Sequence, residues 1–262
     1  MRTARGRYAL PASGDAFRAA QELSGVVALR SAAMARGWEV AVVPEVPEVA
    51  VPRNRKVGAE RRSGVQVLWM DLTPDDRQAE LTSALRTVVD CARRLPFPEA
   101  LAIADSALRS GDVMLEELRA VRVRGAGAAA VRQVLDRADG RAQNPFESVL
   151  RALAIEEGWD VEPQLAVDLG TGTIHPDVVA VADRTALEAD SWTWHTSRKA
   201  HKRDCARYNL MVIHGWRVLR FTWEQVMHEP AYVRWALRAA RRVGREEACS
   251  CSCRHTQPDR VA

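Results

Sequence analysis

The chain has 262 residues, 47% hydrophobic and 27% charged, the proportions of an ordinary globular protein long enough for one large domain or two ordinary ones. No apolar run has the length needed to cross a bilayer, and the first thirty residues lack the apolar core of a secretory leader. No membrane partner is therefore expected, and the cytoplasm is the expected compartment. The net charge of +4 is compatible with a nucleic-acid partner without demonstrating one.

Residues 1–20 are small, basic and rich in Gly and Ala, and little order is expected there. A helix is predicted over 16–34, followed by Val-rich strands over 38–43 and 46–51, punctuated by Pro44, Pro47 and Pro52. A basic turn region (Arg53, Arg55, Lys56, Arg61, Arg62) leads to a strand over 64–72, where Val65, Val67 and Trp69 alternate with their neighbours. From 74 to 139 the pattern is helical. Helices are predicted over 82–92, with Thr82 or Ser83 at the cap, and over 98–110, 114–122 and 128–137. The polar stretch Asp139-Gly140-Arg141-Ala142 reads as a linker, giving a first domain of 1–140 and a second of 143–243.

The second domain opens on Asn144-Pro145-Phe146-Glu147, with Asn at the N-cap, Pro at the first helical position and Glu two residues after it. Phe146, Val149, Leu150, Leu153 and Ala154 form one apolar stripe, and Gly158 ends the helix. Strands follow over 161–167, 174–182 and 186–190. Then come a basic helix over 197–214 stopped by Gly215, a strand over 217–221 and a last helix over 223–242. The order β, β, β, α, β, α argues an α/β domain, preceded by a mostly helical α+β region. Residues 244–262 are expected to form a disordered tail. Cys249, Cys251, Cys253 and His255 crowd into one short cluster there, unlike the paired ligand spacing of structural zinc sites.

The chemistry-bearing residues gather in the second domain. Glu188 and Asp190 lie two apart on a predicted strand, so both leave the same face, while Leu187 and Ala189 face the other way. Such a pair is tolerated if solvated or if a cation sits between the two. Asp177 follows Pro176 at the adjacent strand, and Glu147 lies in the first turn of the preceding helix. Oxygen donors of this kind suit Mg2+ or Mn2+.

Residues 143–235 resemble the endonuclease-like domain of actinobacterial proteins related to the very-short-patch repair endonucleases, within the restriction-endonuclease-like PD-(D/E)xK class. The resemblance rests on Asn144-Pro145-Phe146-Glu147, Pro176-Asp177, Leu187-Glu188-Ala189-Asp190-Ser191, Trp194-His195, Arg203-Asp204-Cys205-Ala206-Arg207-Tyr208 and the run from Gly215 to Trp223. It implies a restriction-endonuclease-like mixed sheet flanked by helices, with Asp177 and Glu188 as metal ligands. It makes Glu147 an accessory acid and puts Asp190 in the place of the class's lysine. Metal-dependent hydrolysis of phosphodiester bonds in DNA is the function it implies. The first half resembles the antitoxin family of abortive-infection systems, through Val51-Pro52-Arg53, residues 64–72, 81–90 and 95–100, with a shortened winged helix before residue 40. A homodimer or a toxin partner would be compatible with that resemblance.

Each of these residues also has a plainer reading. Glu147 is placed to serve as a capping-box acid, Asp177 as a turn residue, and Glu188 with Asp190 as the solvated face of an edge strand. His195 reads either as a general base or phosphate contact, or as a histidine packed on tryptophan. Arg198, Lys199, Lys202 and Arg203 form either a phosphate-facing helix surface or a solvated one. The alternative to a nuclease is a DNA-binding regulator or antitoxin-like protein whose nuclease fold does not cut.

Overall fold

The chain divides into two units, Met1–Val149 and Leu150–Ala262. The computed structural model describes residues 2–4, 7–8, 12–170, 172–190 and 198–253, with side chains over 14–170, 172–190 and 202–243. The division falls inside a helix and not at 139–142, because that turn is fastened to the first unit. The Asp139 N–H donates to Asp105 Oδ1 at 2.8 Å and Arg109 Nη1 to the Ala142 carbonyl at 2.7 Å. Ser148 Oγ then donates to Asp105 Oδ2 at 2.7 Å.

The first unit contains a short antiparallel hairpin, β1 (Arg2–Ala4) and β2 (Arg7–Tyr8), then α1 (Ala12–Leu23), β3 (Val26–Val27) and α2 (Leu29–Ala35). These are followed by β4 (Glu48–Pro52), α3 (Ala59–Arg62) and β5 (Gln66–Met70). Five helices come next: α4 (Pro74–Ala79), α5 (Ala84–Arg94), α6 (Phe97–Ser110), α7 (Leu115–Ala120) and α8 (Ala128–Arg137). The sheet runs β3-β4-β5, antiparallel then parallel. Its centre, β4, is buried on both faces. Val49 and Val51 pack with Ala16, Ala20 and Leu23 of α1, whereas Ala50 joins Leu68, Val88, Ile103 and Val134 on the opposite side.

One buried charge organises this layer. Glu48 is fully buried, and its Oε2 accepts from the Arg30 and Ser31 backbone N–H groups at 2.6 and 3.3 Å, at the start of α2. Its Oε1 accepts from Arg30 Nη2 at 2.7 Å, and the Arg30 guanidinium also reaches Glu99 Oε2 at 3.1 Å. The carboxylate thus caps a helix whose own N-cap, Ala28, offers no side-chain acceptor.

The boundary helix α9 (Pro145–Glu156) leads into the second unit. It is followed by β6 (Glu162–Pro163), β7 (Val167–Asp168), β8 (Thr173–Ile174), β9 (Val178–Ala180) and β10 (Thr185–Asp190). Then come α10 (Arg198–Ile213), β11 (Arg217–Thr222), α11 (Trp223–His228) and α12 (Pro230–Cys253). The main sheet runs β11-β10-β9-β6. Its β10/β11 pair is parallel and the other two pairs antiparallel, while β7 and β8 form a separate hairpin. The parallel pair requires a crossover, which α10 supplies. The unit is therefore a mixed α/β arrangement with helices flanking a mixed sheet.

Gly215 ends α10 as expected. At φ +75° it adopts a left-handed conformation that disfavours side chains, and the Trp216 N–H bonds back to the Met211 carbonyl at 2.9 Å.

Several predicted boundaries are corrected. The expected helix over 16–34 is two helices, and the first already starts at Ala12, inside the stretch expected to lack order. The break falls at Ser24, which takes a left-handed φ of +49°, and the following Gly25 must lack a side chain because a Cβ there would lie 2.4 Å from the Ala50 carbonyl oxygen of β4. The strand expected over 38–43 does not form. Its first two N–H groups go to the Ala33 carbonyl and Ser106 Oγ instead of a neighbouring strand. The strands over 161–167 and 174–182 are each split in two, at Pro163-Gln164 and at His175-Pro176, where proline cannot donate to a ladder. The last helix is divided before Pro230, which disfavours a helical conformation at Glu229. Beyond it, α12 continues through Cys253 where a tail was expected from 244; residues 254–262 lie outside the described residues.

Replacing Glu48 strands Arg30 and the start of α2 together. Glu48→Ala is expected to destabilise the first unit by about 3 kcal/mol, the scale of breaking a buried ion pair from one side, read as a lower midpoint in urea unfolding. An unchanged midpoint would refute this role.

Candidate functional site

The acidic cluster is built by strand register. Leu187 of β10 pairs with Val178 of β9, so the next step along the two strands sets Glu188 beside Asp177. On the other side Glu188 is in register with Arg220 of β11. Glu188 is only 2% exposed although charged, because the alternation that buries Ala186 also points Glu188 into the layer between sheet and α10. Helix α10 completes the site. Met211 is fully buried, and one turn earlier the same face carries Arg207 and Tyr208.

The contacts are specific. Arg207 Nη2 donates to Glu188 Oε2 at 2.9 Å and to Tyr208 Oη at 3.0 Å. Asp177 Oδ2 accepts from the Ala189 N–H at 2.8 Å and its Oδ1 from Gln164 Nε2 at 3.3 Å. Gln164 has a positive φ and donates its own N–H to the Asp177 carbonyl at 3.1 Å, which fixes the entry to β9. Glu188 Oε1 and Arg207 Nε are buried without a hydrogen-bond partner. A buried carboxylate oxygen left in this state is unfavourable unless another group comes to it.

The electrostatics follow from that enclosure. Burial pushes the Glu188 carboxyl up, the neighbouring Asp177 charge adds to this, and Arg207 pulls it partly back, leaving it at about 7. Asp177 is also raised, chiefly by burial, against the Ala189 N–H and Arg207.

The predicted site residues are thus only partly brought together. Asp177 and Glu188 are neighbours. Asp190 lies close enough for its charge to act on Asp177, but its carboxylate is held in an ion pair with Arg220 of the edge strand. Among the described residues no three of His, Cys, Asp or Glu come together closely enough to hold a metal ion by themselves. Glu147 serves the start of α9: its N–H donates to Asn144 Oδ1 at 3.0 Å, and its Oε2 accepts from the N–H of Gln143, the residue before the cap, at 2.9 Å. Lys202 and Arg203 are exposed on α10. His195 and the side chains of Arg198 and Lys199 lie outside the described residues. The basic group facing the acids is Arg207, which no spacing rule separates from the other cations of this helix. Its sequence signals are its place in the run 203–208 that carries the resemblance and its position four residues before Met211.

Glu188 is protonated more readily in the folded chain than in the unfolded one, so between pH 4.5 and 7 the folded state binds the extra proton. Stability contributed by this group is present below pH 4.5 and lost as pH rises through about 7. The stability advantage of Glu188→Gln over wild type should therefore grow from pH 4.5 to pH 7.5, by on the order of 3 kcal/mol. Parallel urea titrations would read it, and a pH-independent difference would contradict it.

No family model and no solved structure matches the chain. Two curated Mycobacterium tuberculosis proteins, from two strains and both described as uncharacterized, are 33% identical to it over 170 residues. The match covers 63% of this chain, which spans 62% of the length of these relatives.

Proposed function

We propose that the second unit is a restriction-endonuclease-like phosphodiesterase, dependent on Mg2+ or Mn2+ and acting on DNA. The observation that carries this reading is Glu188, a carboxylate 2% exposed, one oxygen without a partner, beside a second, half-buried carboxylate, Asp177. Two hard oxygen donors with one orphaned lone-pair site fit a divalent cation, which completes its coordination with water and phosphate oxygens. When bound, the ion supplies Lewis-acid neutralisation of the charge that builds on a phosphodiester under attack.

The chain's own residues do the rest. The Ala189 N–H and Gln164 orient Asp177, the sheet holds Glu188, and Arg207 offsets their mutual repulsion. Exposed Lys202 and Arg203 on α10 offer contacts to the phosphate backbone on approach.

One observation favours a second reading, a DNA-binding regulator that does not cut. Arg207 already neutralises Glu188, and Asp190 stands in an ion pair with Arg220 at the position the resemblance gives to a lysine.

Supercoiled plasmid and single-stranded DNA, incubated with the full chain in Mg2+, Mn2+ or EDTA, separate the two. Cation-dependent cutting is expected, and Glu188→Gln and Asp177→Asn should each reduce it by more than about a hundredfold, the upper end of what groups one layer further from a metal contribute. Folded protein that retards DNA without cutting it moves the conclusion to the regulator.

A further inference from the structure

Beside the buried Glu188 and the half-buried Asp177 lies a second feature with its own geometry. The guanidinium carbon of Arg207 is 4.9 Å from the centroid of the Tyr208 ring, and that of Arg220 is 4.4 Å from the same centroid. One ring thus gathers two cations, each stabilised by its π-face. Each is also tethered to a carboxylate of β10: Arg207 to Glu188 and Arg220 to Asp190.

Neither guanidinium is used up by these bonds. Arg207 Nε is buried without an acceptor. The Arg220–Asp190 pair is half exposed, at 46% and 39%, and an ion pair in that setting is held too weakly to resist exchange for a better acceptor. Arg220 also sits on β11, the edge strand of the sheet, where an extended chain can approach. Two like charges held on one aromatic ring repel each other, and a shared oxyanion relieves that repulsion. The planar fork of each guanidinium matches the oxygens of a tetrahedral phosphate, a fit that the point charge of a lysine does not provide.

We propose that Arg207 and Arg220, gathered on Tyr208, form a guanidinium pair that receives a phosphodiester group of DNA beside Asp177 and Glu188. The inference rests on the phosphodiester reading above for the identity of its ligand. It assigns substrate contact to two residues that the acidic motif leaves out. Glu188 and Asp190 act as parking places: each holds its arginine in orientation until the phosphate replaces the carboxylate as acceptor.

The test uses the full chain and a fluorescently labelled DNA duplex in EDTA, with binding followed by anisotropy at several salt concentrations. Arg220→Gln is expected to weaken binding about tenfold and to lower the slope of log affinity against log salt by about 0.9, the value for one lost phosphate contact. Arg220→Lys keeps the charge and should restore the slope while recovering only part of the affinity. Because Arg220 is half exposed, both variants should keep the wild-type unfolding midpoint; Arg207→Lys gives a second reading from the buried side. Wild-type affinity and slope in Arg220→Gln would overturn the proposal. Glu188-dependent cutting that is indifferent to Arg220 would remove the guanidinium pair and leave the hydrolytic reading standing. Arg220-dependent binding without cutting under any cation would support the pair and remove hydrolysis instead.

Discussion

The second unit is organised around a carboxylate placed where the fold would otherwise put a methyl group. Position 188 lies on β10, whose two neighbours in the main sheet, β9 and β11, cover both of its edges. The residues before it, from Thr185 to Leu187, are fully buried. A charge there is unfavourable on its own, so something must meet it, and the crossover helix does so with Arg207. That contact constrains the helix: α10 must present Arg207 and Met211 on its inward face, and Gly215 must end it in time for β11 to start in register with β10. Strand register, the rotation that packs Met211 and the length of the helix all have to agree for that compensation to be made.

The first unit uses a similar device for a different end. Glu48 is also a fully buried carboxylate on a central strand, met by an arginine from a neighbouring helix. There every oxygen is satisfied, two of the donors being backbone N–H groups at a helix start. At Glu188 one oxygen is left without a partner. A saturated buried carboxylate fastens an element, whereas an unsaturated one in a polar recess has capacity for a further ligand. This difference, more than the presence of acidic residues, distinguishes the scaffold charge from the candidate site.

Much of this was legible in the sequence where local chemistry decides the outcome. Asn144, Pro145 and Glu147 open α9, and Gly158 and Gly215 close their helices, because caps depend on neighbours within a few residues. The two-residue spacing of Glu188 and Asp190 correctly implied a shared face, yet their fates differ: one is enclosed and the other is drawn to Arg220 at the edge. No local rule separates them, since the difference lies in what covers each end of β10. The role of Arg207 was not legible in spacing for the same reason, although the residue lies in the run 203–208 that carries the resemblance. Arg198, Lys199, Lys202 and Arg203 precede it on the same helix, and only the rotation fixed by tertiary packing of Met211 selects it. The need for glycine at position 25 likewise arises from a carbonyl of β4, a partner some twenty-five residues away.

The crossover between β10 and β11 bears on the order in which the chain acquires its parts. Strands β9 and β10 are joined by a short turn, so their pairing closes only a small loop and brings Asp177 and Glu188 together at little entropic cost. The compensating guanidinium and the edge strand arrive only after α10 has formed and folded back. A chain that ends before α10 consequently carries the two acids without their counter-charge. The recess is complete only once α10 and β11 have joined the sheet.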